Sequence, residues 1–182
     1  YSNGSFTKVF PMADKTGARV GQTLTDFADD VGIPDTLVMD LAPEQAGKHT
    51  EMQTEARRLR VRIRYTEKGR SEQNHTAEGE IGQLKRRWKH RMTTKNVPRC
   101  LWDYGLVHEA EVLSILAHGK DQVPGLEKVL GQTIDISEYL DFGIWDLVWY
   151  WDQSKTSDMS NEQKKLGRWL GIAHHVGSEM TS

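Results

Sequence analysis

The sequence predicts an α/β fold, and three observations carry that prediction. Residues 36–40, TLVMD, form a continuous apolar run closed by an acid, as a strand buried in a parallel sheet does. Residues 60–66, RVRIRYT, alternate Arg60, Arg62 and Arg64 with Val61, Ile63 and Tyr65, which is the two-residue period of a half-buried strand. Around these two runs apolar residues recur at helical spacing, so strands and helices alternate along the chain.

In chain order, residues 6–12, FTKVFPM, read as a short strand. Ala13 to Val31 places Val20, Leu24, Phe27 and Val31 at spacings of four, three and four, one face of a helix. Gly32 supplies its stop and Pro34 prevents its continuation. The strand at 36–40 follows, then a helix over 49–59 and the strand at 60–66. Residues 36–40 are expected beside both 6–12 and 60–66 in one sheet. A polar, Gly-containing loop leads into a helix over 76–92, with Glu78 and Glu80 at its start and Lys85, Arg86, Arg87, Lys89 and Arg91 towards its end. The next helix, over 97–119, has Pro98 in its first turn and Trp102, Leu106, Ala110, Leu113 and Ala117 on one face. From Phe142 the texture changes. The aromatic run FGIWDLVWYWDQ, the polar connection SKTSDMSNEQ and the run KKLGRWLGIAHHVG describe two strands of a small β module.

Composition narrows the class. The 182 residues are 37% hydrophobic and 27% charged, a balance that folds rather than stays disordered. No apolar run approaches the roughly 20 residues of a membrane-spanning helix, and the first residues lack a signal peptide's charged start and apolar centre. The single cysteine, Cys100, leaves no internal disulfide and no cysteine-based zinc site, and fits a reducing compartment. A net charge of −2 gives no global argument for nucleic acid, so any such argument rests on two local patches, the five arginines within 57–64 and the cations of 85–91.

Several motifs fail. A phosphate loop ending at Gly47-Lys48 requires glycine at 42, where Ala42 stands. No G-x-S-x-G elbow exists. His174-His175 has no companion ligands at metal spacing and reads as surface or packing histidines. One constellation survives. Asp40 ends a strand and Glu78 lies in the first turn of a later helix, with 37 residues between them. One helix, one strand and one loop bring two such acids to one sheet edge. Hard carboxylate oxygens there can hold the Mg²⁺ ions of phosphoryl transfer. Both acids also have bland roles, the one capping a turn and the other favouring a helix dipole.

The words around these acids carry a resemblance. Gln73-Asn74-His75-Thr76-Ala77-Glu78 resembles the Q-N-G-x-A-E segment of integrases of the copia class of LTR retrotransposons, and Tyr65-Thr66 resembles that family's Y-T-P before the same loop. Residues 33–40 are similar to the family's strand leading to its second catalytic aspartate. Residues 97–102, VPRCLW, resemble its l-P-x-x-x-W; residues 131–137, GQTIDIS, its G-x-x-P-d-i-s with Ile134 for the proline; and residues 166–171, LGRWLG, its terminal x-G-x-f-L-G-y. The set runs through most of the chain in the family's order.

The resemblance implies an RNase H-like core, a mixed sheet flanked by helices with its first strands missing, over residues 1–120. It further implies a helical link over 121–141 and a small SH3-like β module over 142–182. The implied chemistry is metal-dependent insertion of element DNA into target DNA, with Asp40 and Glu78 as catalytic residues and ligands of Mg²⁺ or Mn²⁺. Asn74, Lys85, Arg86, Arg87, Lys89 and Arg91 would contact nucleic acid, the partners would be DNA and further copies of the protein, and the work would be done in the nucleus. The sequence also departs from the family. Its first catalytic aspartate and its zinc module are expected upstream of this sequence. Its D-N-G-G-E-F has become Asp40-Leu41-Ala42-Pro43-Glu44-Gln45, without either glycine. Hence the chain as given is expected to bind DNA without transferring strands. A catalytically inactive DNA-binding module and an RNase H-like nuclease stay open beside the integrase reading. The cations of 85–91 likewise stay open as a solvated face, and Trp88 reads as core rather than a stacking platform.

Overall fold

The computed structural model describes residues 6–14, 16–39, 51–66, 75–118, 122–152 and 164–174. Within them the chain is a mixed α/β structure of six α-helices and three two-stranded sheets.

Helix α1, Gly17–Asp30, begins later than its apolar period predicts. The reason is local: Asp14 accepts hydrogen bonds from the Thr16 amide (3.2 Å) and hydroxyl (2.8 Å), a turn that uses up the preceding residues. It ends as expected at Gly32, whose φ of +119° suits glycine and whose amide donates to the Ala28 carbonyl at 3.0 Å. Strand β1, Thr36–Met39, pairs in parallel with β2, Arg62–Tyr65, in the register Thr36 to Arg62 through Met39 to Tyr65. Helix α2, Glu51–Arg58, lies between them in sequence and packs against α1. Gly21 allows that approach, since a Cβ there would lie 3.3 Å from the Glu51 carbonyl carbon. Leu24, Met39, Met52, Ala56 and Val61 form the core beneath this unit.

Two expectations are corrected here. Among the described residues, 6–12 pair with neither β1 nor β2, and within that segment only Thr7 makes a β-bridge. The Thr7 amide donates to the Ser114 hydroxyl, which donates in turn to the Thr7 carbonyl, both at 2.9 Å. Phe6 meets Phe27, and Val9 joins a helical core. Strand β1 is not buried on both faces: Met39 is buried while Val38 is exposed.

Helix α3, His75–Lys95, is the longest element. A 3-10 turn at Arg99–Leu101, capped by Pro98, leads into α4, Trp102–Ile115, so the helix expected over 97–119 is shorter at both ends. Its buried face also differs. Ala110 and Leu113 are inside with Gly105, His108 and Glu109, whereas Trp102 is exposed and Ala117 belongs to β3. Late α3 residues meet early α4 residues, so the two helices run antiparallel and share Leu84, Ala110 and Leu113. Strands β3, Ala117–His118, and β4, Val123–Pro124, make a short antiparallel ladder before α5, Gly125–Leu130, and α6, Ser137–Asp141. Strands β5, Leu147–Trp151, and β6, Lys164–Arg168, pair antiparallel as their aromatic and basic runs predict. The base of this hairpin sits on α3 and α4. Ile144 is fully buried with Trp88 and Val97, and Lys95 Nζ meets Asp146 Oδ1 at 2.5 Å.

Candidate functional site

Strand β1 ends at Met39, so Asp40 is the next residue of the chain; Asp40 and Asn74 both lie outside the described residues. Glu78 is exposed in the first turn of α3, where the positive end of the helix dipole favours a carboxylate. Among the described residues no three His, Cys, Asp or Glu side chains gather as a metal cluster. Glu78 offers an accessible hard-oxygen donor, the chemistry that Mg²⁺ takes.

What the helix does around Glu78 is informative. Residues 78, 82, 85 and 89 are spaced four, three and four, so they share one stripe of α3. That stripe faces outward: Glu78, Lys85 and Lys89 are exposed, with exposed Arg86 and His90 beside them. Gly79 and Gly82 leave the helix bare between the acid and the cations, since a Cβ at either would have no neighbour within 4 Å. At about 1.5 Å of rise per residue, Lys85 lies about 10 Å and Lys89 about 16 Å along the axis from Glu78. A carboxylate, a bare turn and a set of cations in that order form a surface on which a polyanion can lie lengthwise.

The opposite side of α3 is built quite differently. Trp88 is 4% exposed and its ring lies across Gly105 of α4. Glu109 of α4 is fully buried. Its Oε2 accepts from Arg87 Nε at 3.1 Å and its Oε1 from Arg91 Nε, one turn further along α3. The five cations expected on the track are thus divided: Lys85, Arg86 and Lys89 point out, while Arg87 and Arg91 turn in to an acid. Beside Glu109, His108 packs edge-on against Trp169 with ring centroids 5.3 Å apart, and burial pushes its pKa down. His174 is half exposed and pairs with Glu111 at 3.0 Å, a hydrogen bond that raises its pKa. Its neighbour His175 lies outside the described residues.

Sequence reasoning passed over Gly105 and Glu109, and a signal was present for both. A glycine inside an apolar helical run marks a close approach. Glu109 stands four residues from Gly105 and four from Leu113, on the buried face.

Comparison with known proteins follows from this geometry. The fold is similar to that of a chain in an intasome. The match is to the cryo-EM structure of the simian T-cell lymphotropic virus intasome in complex with PP2A regulatory subunit B56 gamma, with a TM-score of 0.53 and 17% identity. It covers 86% of this chain and 55% of that one, so the chain spans about half the length of the protein it matches. No protein-family model and no curated protein matches the sequence. At that identity the likeness is one of fold.

Proposed function

We propose that the chain is part of a retrotransposon integrase of the copia class, a metal-dependent polynucleotidyl transferase working on DNA in the nucleus as an oligomer. In this reading residues 1–120 belong to an RNase H-like core and residues 142–182 to an SH3-like module. The observation that carries it is the fold likeness to an intasome chain, borne by a sequence whose family words occur in the family's order. The parallel β1–β2 pair supports it, because Asp40 follows the end of β1 and Glu78 opens the helix after β2. Asp40 and Glu78 are the ligands for Mg²⁺ or Mn²⁺, and their hard oxygens fit such ions. When bound, the metal supplies Lewis-acid stabilisation of charge at the reacting phosphate. Glu78 holds its carboxylate on a rigid helix, and Lys85, Arg86 and Lys89 take the phosphates that lie beyond it. Asn74 joins them by its place in the motif.

Binding of a labelled random-sequence duplex, measured by anisotropy over a range of salt, tests the reading. Each phosphate neutralised contributes about 0.9 to the slope of log K against log salt. The triple variant Lys85→Ala, Arg86→Ala, Lys89→Ala is expected to flatten that slope by about 2.7. Mg²⁺ at fixed ionic strength is expected to strengthen binding more in the parent chain than in Glu78→Gln. Absence of DNA binding, or a slope untouched by the triple variant, would overturn the proposal.

A further inference from the structure

We infer that Glu109 is a positioning residue: it fixes the rotation of α3 and divides that helix's cations into a set used inside the fold and a set left for a polyanion. The inference rests on the nucleic-acid reading of α3 and adds to it which residues make the contact and what holds them in place.

The argument starts from burial. A carboxylate with no exposed surface is strongly unfavourable unless it is paired and hydrogen-bonded. Glu109 meets that demand with one guanidinium nitrogen on each oxygen, from Arg87 and Arg91. Both donors come from α3, one turn apart, so the pair of contacts defines a line along that helix. A single contact would let α3 roll about its axis, and two restrain it. Trp88 lies between the two arginines in sequence and is wedged against Gly105, which reinforces the same setting. With Arg87, Trp88 and Arg91 turned inward, helical geometry requires Lys85, Arg86 and Lys89 to face outward. These three are exposed and form no ion pair with the described residues. Turning α3 by a single residue position, about 100°, would swing Glu78 and the lysines away from this setting and strip Glu109 of its partners.

Of the six Lys and Arg on α3, Arg87 and Arg91 pair with Glu109 and Lys95 with Asp146, so three are offered to a partner. The inward two are restrained by an acid that is closer and drier than any phosphate. Charge-assisted contacts of this kind are strong because the surrounding dielectric is low.

The test uses the full 182-residue chain and the same labelled duplex over a salt series. Arg86→Ala is expected to lower the slope by about 0.9, and Arg87→Ala to leave it within error of the parent while lowering the melting temperature. Glu109→Gln is expected to steepen the slope by about 0.9 to 1.8, because one or both arginines are released to phosphate. Glu109→Asp is expected to restore the parent slope. A purely structural glutamate would not move this readout. If Arg87→Ala lowers the slope as much as Arg86→Ala does, or a folded Glu109→Gln leaves it unchanged, the inference is wrong. Should Glu109→Gln fail to fold by circular dichroism, the Arg86 and Arg87 variants decide. If the parent chain binds no DNA, the nucleic-acid reading falls by itself and hydrogen exchange tests the clamp. Arg87→Ala and Arg91→Ala must then speed amide exchange along α3 while Arg86→Ala does not, and equal exchange in all three would overturn it.

Discussion

Replacing Gly105 with alanine puts a methyl group where the Trp88 ring already lies. The added Cβ would stand 2.2 Å from Trp88 Cη2 and 2.3 Å from both Cζ2 and Cζ3. Carbon atoms pack at about 3.5–4.0 Å, so three ring atoms overlap it by more than about 1 Å. The ring cannot retreat easily, because it is packed in a core with Val97 and the fully buried Ile144. Overpacking of a filled core costs about 1–3 kcal/mol, and an overlap on three atoms of a rigid ring belongs at the upper end. Alanine's better helix propensity returns at most about 1 kcal/mol. The expected net loss is about 2 kcal/mol, read as a fall of about 4–8 °C in melting temperature for a chain of this size. The control is Gly82→Ala, the same chemical change in α3, where nothing lies within 4 Å of the new Cβ. It is expected to stabilise by up to about 1 kcal/mol. Circular dichroism of both variants during urea and thermal unfolding decides the matter. Equal stabilities for Gly105→Ala and Gly82→Ala would refute the packing argument, as would a Gly105→Ala cost that persists undiminished in a Trp88→Leu background.

Two histidines should give opposite pH dependences. Burial lowers the pKa of His108, so the folded state favours its neutral form, and stability is expected to fall as pH drops from about 6.5 towards that lowered value. The hydrogen bond to Glu111 raises the pKa of His174, so its contribution is present below about 6.5 and disappears as pH rises through the raised value. Melting temperature measured between pH 5 and 8 checks both: His108→Phe should flatten the acid-side loss, and His174→Gln should remove the alkaline-side one. The Lys95–Asp146 pair ties α3 to the β5–β6 hairpin, but its side chains are 31% and 44% exposed. Lys95→Met is therefore expected to cost no more than about 1 kcal/mol, with an effect that shrinks in high salt. A larger, salt-independent loss would refute this reading of the pair as a screened surface contact.

The elements that could be read from the sequence are those whose signal is local. The alternating arginines of 60–66 become β2, the apolar run before Asp40 becomes β1, and Gly32 stops α1, each through a preference that neighbouring residues express together. The hairpin of β5 and β6 was legible for the same reason. Periodicity also placed Glu78 at the head of a helix with cations along it. It could say which residues share a face but not what that face would meet. That Thr7 bonds to Ser114, 107 residues away, follows from how α4 is placed. The same holds for the cations: five basic residues in seven look alike in sequence, and only the antiparallel seating of α4 on α3, with Glu109 buried between Arg87 and Arg91, separates them. The type of each element follows from short-range sterics and patterned hydrophobicity. The partner of a charge follows from which surfaces exclude water together, and only the folded chain decides that.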